Sequence, residues 1–235
     1  MTGERPAGLT GAQLKTIAVA AMILDHIGVV FVPAGTVLHW ALRCAGRLTM
    51  PIMCFFVAQG YWHTRHLGRY AARLFIGAAL SHVPYALCFG YDIRNVWQAT
   101  SVMWTLFVSL LALAAFDRLR PGLREAALLG CLLAVWPGSW NYTGLLWVLV
   151  FGMTEQKKGQ RWGLFTLVSL GHLLQMAYLG SSEPLFVSLF VLAAMPLLQG
   201  YNGQRGYRGR GVQYGFYFIY PLHLLVLYGL RLLLG

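Results

Sequence analysis

Charge is what this sequence has least of, and acid is scarcer than base. Charged residues are 11% of the 235, with seven Asp and Glu against eighteen Lys and Arg. A soluble domain carries about 25% charged side chains, so a water-soluble globule of this length is excluded. Cysteine is limited to Cys44, Cys54, Cys88 and Cys131, all inside apolar runs and without CxxC or CxxH spacing. That pattern argues against a disulfide framework or a zinc site and describes buried thiols packing as small apolar side chains. There is also no Walker loop, no GxGxxG and no internal repeat. The missing repeat weighs against a transporter, since inverted repeats are common in such folds.

What the chain has is apolar length. It is 58% hydrophobic with a mean hydropathy of +0.60. Apolar segments run roughly over 13–32, 40–61, 70–90, 100–116, 124–136, 140–154, 162–179, 184–199 and 213–234. Crossing about 30 Å of hydrocarbon takes roughly 20 residues. The expected fold is therefore an all-α polytopic integral membrane protein of about nine transmembrane helices. Residues 1–12 form a short cytoplasmic segment in this reading, and 13–235 a single transmembrane helical domain. The fifth and sixth segments are short and meet at "WPGSWNY", which points to tilted or partly re-entrant pieces. The polar start "MTGERPAGLT" leads into an apolar run with an Asp-His pair and no small-residue cleavage site, so an uncleaved first helix is expected rather than a signal peptide.

The net charge of +11 does not indicate a nucleic-acid partner, because the basic residues concentrate in short connections. Arg65, Arg69 and Arg73 lie in one; Arg118, Arg120 and Arg124 in a second; Lys157, Lys158 and Arg161 in a third; Arg205, Arg208 and Arg210 in a fourth. These alternate with "VPAGTVLH", "GYDIRNVWQ", "WPGSWNY" and "LGSSEP", which together hold only Arg94. The alternation places the N-terminus in the cytoplasm and, with nine spans, the C-terminus outside. Trp and Tyr gather at segment ends, among them Trp40, Trp62, Trp97, Trp136, Trp162 and Tyr214, as an aromatic belt requires.

Few polar residues interrupt the spans: Asp25, His26, Arg43, Arg47, Gln59, His82, His172, Gln175 and His223. A charge at mid-bilayer costs about 2.5–3.5 kcal/mol on insertion scales, so such residues usually face a cavity or a partner. Lys15 and His26 are eleven residues apart. At 100° per residue they share a helix face, about 20° out of register and roughly 16 Å apart along the axis. That suits an anionic ligand whose head stays at the surface while a thin arm runs inward, and coenzyme A has that shape. The same residues also suit a snorkelling lysine and an interhelical hydrogen bond. Asp25 points 100° away from His26 and needs a cation from another span, either Arg47 or Arg43; such a pair could equally be structural. His26 is the residue free to act as a base, with an ordinary pKa near neutrality. His223 follows Pro221, and Arg47 precedes Pro51 by four residues; each is a site or a kink.

The string "LKTIAVAAMILDHIGVVF", the blocks "GRLTMP" and "GYWHTR", and the closing "FYFIYPLHLLVLY" resemble the TraX family, including its TrbP-like members. The likeness is strong over 13–90 and 213–230 and rests on hydropathy between them. The founding member of that family acetylates the N-terminus of conjugative pilin. A more distant similarity runs to membrane acyltransferases of the acyltransferase-3 class, which carry a basic residue, ten intervening residues and a histidine on one helix. Lys15 and His26 match that spacing. The resemblance implies a membrane-embedded acyltransferase of the bacterial inner membrane that moves an acetyl group from acetyl-CoA to a pilin subunit, without a metal. His26 would be the base, and Lys15, Arg65, Arg69 and Arg73 would hold coenzyme A. Asp25 and Arg47 would form a fixed pair shaping the cavity, with His223 on the opposite wall. Inner-membrane lipids and other membrane proteins of the conjugation machinery are the further partners expected. The competing expectation is a non-enzymatic assembly protein or chaperone that holds pilin in the bilayer; a solute or proton transporter is the weaker third.

Overall fold

The computed structural model of the protein describes residues 7–206 and 209–234, without the side chains at 158, 210 and 212–214. Arg208, and the side chains of Lys158, Arg210 and Tyr214, thus lie outside the described residues. Everything regular in it is helical, and the described residues hold only two isolated β-bridges. The helices are α1 (Gly11–Phe31), α2 (Val37–Gly46), α3 (Thr49–His63), α4 (Leu67–Phe89), α5 (Val102–Arg118), α6 (Leu123–Val135), α7 (Asn141–Met153), α8 (Lys158–Tyr178), α9 (Leu185–Leu189), α10 (Ala194–Gln199) and α11 (Arg210–Leu234). A 3₁₀ turn, Phe190–Ala193, joins α9 to α10.

Among the described residues, four stretches are long and apolar enough to cross a membrane: Gly11–Phe31, Val37–His63, Leu67–Phe89 and Gly215–Leu234. The second contains a turn at Arg47 and Leu48, where α2 stops and α3 begins. Pro51 explains it: the ring has no N–H for the Arg47 carbonyl four residues back and is tolerated only in the first turn of a helix. The expected short segments are α6 and α7, thirteen residues each, about 20 Å long at 1.5 Å per residue.

Contacts between connections define two ends. At one, the backbone of residues 9–12 bonds to Gly200, Asn202, Gln204 and Arg205. At the same end Trp62 donates to the Gly152 carbonyl, Gln59 to Glu155, and Tyr61 to Asp117. The basic connections that follow α3, α5, α7 and α10 therefore gather beside the start of α1. At the other end Thr100 pairs with Pro137 and Ser139, while Arg43 and Arg47 meet Glu183. Among the described residues the chain makes nine passes between these ends, counting α2 with α3 and α9 with α10.

Small residues let the passes close. α1 packs most extensively on α2, where a Cβ placed on Gly28 would lie 2.9 Å from Leu42 Cβ and one on Gly46 would run into the Asp25 side chain. Gly144 and Gly152 seat α7 against Thr105 and Leu113 of α5. Close approach of this kind is how helices associate where surrounding lipid removes the hydrophobic drive. Trp147, Phe151, Phe165, Met50 and Leu110 fill the centre and are fully buried.

Gly46→Ala should destabilise the protein by about 1–3 kcal/mol, the range for overpacking a tight contact. Denaturant unfolding in detergent micelles reads this out. Gly130→Ala on α6, where an added Cβ meets nothing within 4 Å, is the control and should leave the midpoint unchanged or raise it. Equal behaviour of the two variants would contradict the tight α1–α2 seam.

Candidate functional site

His26 points from α1 towards α11, where it meets the other mid-helix histidine. Its Nδ1 lies 2.7 Å from His223 Nε2, with the two rings parallel to within 4°. His223 Nδ1 in turn lies 2.8 Å from the Ile219 carbonyl, one turn back. A carbonyl only accepts, so His223 Nδ1 carries a proton and donates it there. Neutral His223 then presents a lone pair at Nε2, and His26 Nδ1–H donates to it. The chain of bonds leaves His26 Nε2 with its own lone pair. Phe89 and Tyr220 stand edge-on to the His26 ring at 5.3 and 6.3 Å between centroids and fix its plane.

Asp25 takes the next direction around α1 and meets α2. Its Oδ1 accepts from Arg43 Nη1 at 2.7 Å. Arg43 also donates from Nε, at 2.9 Å, and from Nη2 to Glu183, while Arg47 Nη2 donates to the second Glu183 oxygen. The side chains of the four are 13–22% exposed. Two guanidiniums and two carboxylates sum to zero charge, the condition for burying them together. Burial would raise the Glu183 carboxyl, but Arg47 and Arg43 outweigh it and hold the group below the ordinary carboxylate value. The pairing corrects one expectation: Asp25 is bound to Arg43, and Arg47 reaches Glu183 instead. α2 presents Arg43 and Arg47 one turn apart, and a single aspartate neutralises only the nearer.

Four of these groups, without His223 and Glu183, line a cavity of about 310 Å³ at the end away from the basic connections, so His223 stands behind His26 rather than on an opposite wall. Asp25, His26, Arg43, Arg47, Trp140, Thr143, His172 and Gln175 contribute to its wall. Arg47 lies over the Trp140 ring at 5.3 Å, and His172 Nδ1 sits 3.2 Å from Thr143 Oγ1. His82 is elsewhere, half-buried, with Nε2 3.0 Å from the Ile93 carbonyl.

The basic residues expected to bind coenzyme A surround a second cavity, about 260 Å³, at the opposite end. Lys15, Arg65 and Arg73 line it, together with Arg205 and the rings of Phe56, Tyr70, Phe216 and Tyr217. Lys15 Nζ lies 4.8 Å from the Phe56 ring centre. Arg69 is exposed and contributes nothing to this wall. A neighbouring cleft of about 790 Å³ shares Lys15, His63 and Arg205 and adds Gln59, Glu155 and Arg161. The two histidine and lysine cavities share no lining residue. Met22, buried and on the stripe between Lys15 and His26, stands in the way.

Sequence reasoning missed Glu183 and Arg205 as site residues. Glu183 sits in "LGSSEP", an outwardly unremarked connection. The signal for it was charge balance: Arg43 and Arg47 exceed Asp25 by one, and only Asp92 and Glu183 lie in connections at that end.

The sequence profile described as TraX protein matches residues 10–231. A probable fimbrial assembly protein FimC, serogroup H1, of Dichelobacter nodosus is 30% identical over 243 residues, covering 98% of this chain and 99% of its own. An uncharacterized protein of Rickettsia prowazekii (strain Madrid E) is 43% identical over 49 residues, 21% of this chain and 18% of its own. No solved structure matches.

Glu183→Gln should lower stability at neutral pH by about 1.5–3 kcal/mol, the worth of hydrogen bonds to charged groups. A carboxyl held below its unfolded value stabilises above that value, and the contribution is lost as pH falls through the folded one. The wild-type advantage should therefore be full at pH 7 and shrink in acid, below the ordinary carboxylate range. Unfolding midpoints of both proteins across that range check it; a pH-independent difference would contradict the ion quartet.

Proposed function

The chain belongs to the TraX family, and we propose that it is an acyltransferase of the bacterial inner membrane. In this reading it carries an acetyl group from acetyl-CoA to a pilin subunit during pilus maturation. The observation that supports it most is the histidine chain, which leaves a lone pair on Nε2 of His26, a residue that lines the cavity. The name of the Dichelobacter nodosus relative, a probable fimbrial assembly protein, supports the pilus side of the reading. It equally suits a scaffold that holds pilin without chemistry, which is the second reading.

The end that gathers the basic connections faces the cytoplasm in this proposal, with nine membrane passes and the N-terminus inside. Lys15, Arg65, Arg73 and Arg205 receive the phosphates of coenzyme A, and the neighbouring rings pack against its nucleotide. The thioester arm runs along the α1 stripe, past Met22, into the histidine cavity. An unbranched thioether swings aside more readily than a branched side chain. There the acceptor amine attacks the thioester carbonyl carbon while His26 Nε2 takes the amine's proton. The carbon–sulfur bond then breaks, and the protonated His26 returns its proton to the departing thiolate. His223 holds the rotamer and tautomer of His26 and shares the positive charge while it lasts. Asp25 serves by anchoring α1 to α2 through Arg43 rather than by touching substrate.

His26→Ala should lower transfer of label from isotope-labelled acetyl-CoA to pilin by about 10²–10⁴, the usual contribution of a positioned base. The assay uses purified protein in nanodiscs. Unchanged transfer in a folded His26→Ala variant would sink the base assignment, and pilin binding without transfer by the wild type would favour the scaffold. Met22→Trp should block transfer as well, while leaving coenzyme A binding at the basic cavity intact; full activity of this variant would contradict the route along α1.

A further inference from the structure

The cleft of about 790 Å³ beside the basic cavity has no occupant in the reading above, and its wall carries different chemistry. Glu155 and Gln59 meet there. Gln59 Nε2 donates to Glu155 Oε2 at 2.6 Å, and Arg161 Nη2 donates to the same oxygen at 3.2 Å. Glu155 Oε1 and Gln59 Oε1 take no hydrogen bond among the described residues, yet neither atom is shut off from the surface, and the Glu155 side chain is 32% exposed. Two acceptors side by side call for a donor. Arg161 already neutralises Glu155, and Lys15 and Arg205 complete the Lys and Arg side chains of the lining, so that donor must be uncharged. The ligand is thus anionic where it meets Lys15 and Arg205 and bears a neutral N–H group for the acceptors. Half-buried Phe56, Tyr201 and Trp162 add rings to the same wall, with Tyr201 edge-on to Phe56 at 5.6 Å. Rings of this kind are what a planar base stacks on.

Resting on the acyltransferase reading above, we propose that this cleft seats the adenosine end of coenzyme A, with Glu155 Oε1 and Gln59 Oε1 accepting from the 6-amino group of the base. That amine is neutral at pH 7 and has two N–H donors, one for each acceptor. A base with a carbonyl at the same position would set three acceptors against one another. Size points the same way. The basic cavity, about 260 Å³, falls below the range of about 300–1,000 Å³ that encloses a drug-sized ligand, whereas the cleft falls within it. Lys15, Phe56, His63 and Arg205 line both spaces. Phosphates held at that shared wall leave the base on the cleft side and the thioester arm free to follow α1.

Isothermal titration calorimetry on the purified protein in nanodiscs tests this with coenzyme A and its deaminated analogue, in which hypoxanthine replaces adenine. The analogue should bind about 10- to 100-fold more weakly, the range for lost hydrogen bonds to a charged group. Glu155→Gln, whose amide can turn to donate, should remove most of that difference. The wild-type comparison stands whether or not that variant folds. Equal binding of the two ligands by the wild type would overturn the proposal. So would an equal loss of both in Glu155→Gln, which marks a structural carboxylate. ATP offers the same base without the arm, and its displacing coenzyme A at equal concentration would overturn the assignment to this donor. In each of these cases transfer of labelled acetyl by the wild type leaves the acyltransferase reading in place. Absence of coenzyme A binding by the wild type would take down both.

Discussion

Two arginines one turn apart on a short apolar helix must be neutralised, and much of this structure follows from how that is done. Arg43 and Arg47 draw Asp25 from α1 and Glu183 from the connection after α8, so one neutral cluster ties three distant parts of the chain together. Removing any one member leaves a charge without its partner, which is far more destabilising than the intact set is stabilising. The cluster also orients α1. With Asp25 fixed towards α2, the next residue, 100° around the helix, is turned towards α11. The Asp-His pair is thus a division of labour between neighbours: one carboxylate to hold the helix, one imidazole facing its partner histidine.

That orientation separates two chemistries along a single helix. Lys15 and three arginines stand at the end where basic connections gather, and His26 stands at the other. The eleven-residue spacing keeps both on one stripe while the buried Met22 divides their cavities.

The apolar segments, the gathering of basic connections at one end and the in-span polar residues were all legible from hydropathy and residue type, because burial in lipid leaves a composition that no other environment produces. Pro51 was legible as a break but not as the device that turns Arg47 into the cavity, since a kink and a site give the same local string. Pairings were the least legible. Which arginine meets Asp25 depends on the rotation of α2 about its axis, set by Gly28 and Gly46 packing on Leu42 and Asp25. Glu183 lay hidden because its partners are 136 and 140 residues away, and no periodicity links a loop to a helix at that distance. Arg69 looked equivalent to Arg65 and Arg73, but the three positions span more than one turn of α4 and its approach, and it faces out.

The histidine chain runs in one direction only, which sets it apart from simple helix glue. Two polar side chains that only join helices can be satisfied in either sense, and nothing is gained from one sense over the other. Here the Ile219 carbonyl sets the sense: it forces the proton onto His223 Nδ1, which forces the lone pair onto Nε2, which forces the proton of His26 onto Nδ1. The lone pair that remains belongs to His26, the member of the pair that lines the cavity. Pro221 lies two residues before His223 and withdraws an N–H from the same turn. The same stretch, "FIYPLH", thus supplies the carbonyl, the proline inside the continuous helix and the second imidazole, so a local sequence late in the chain sets the tautomer of a residue near its start.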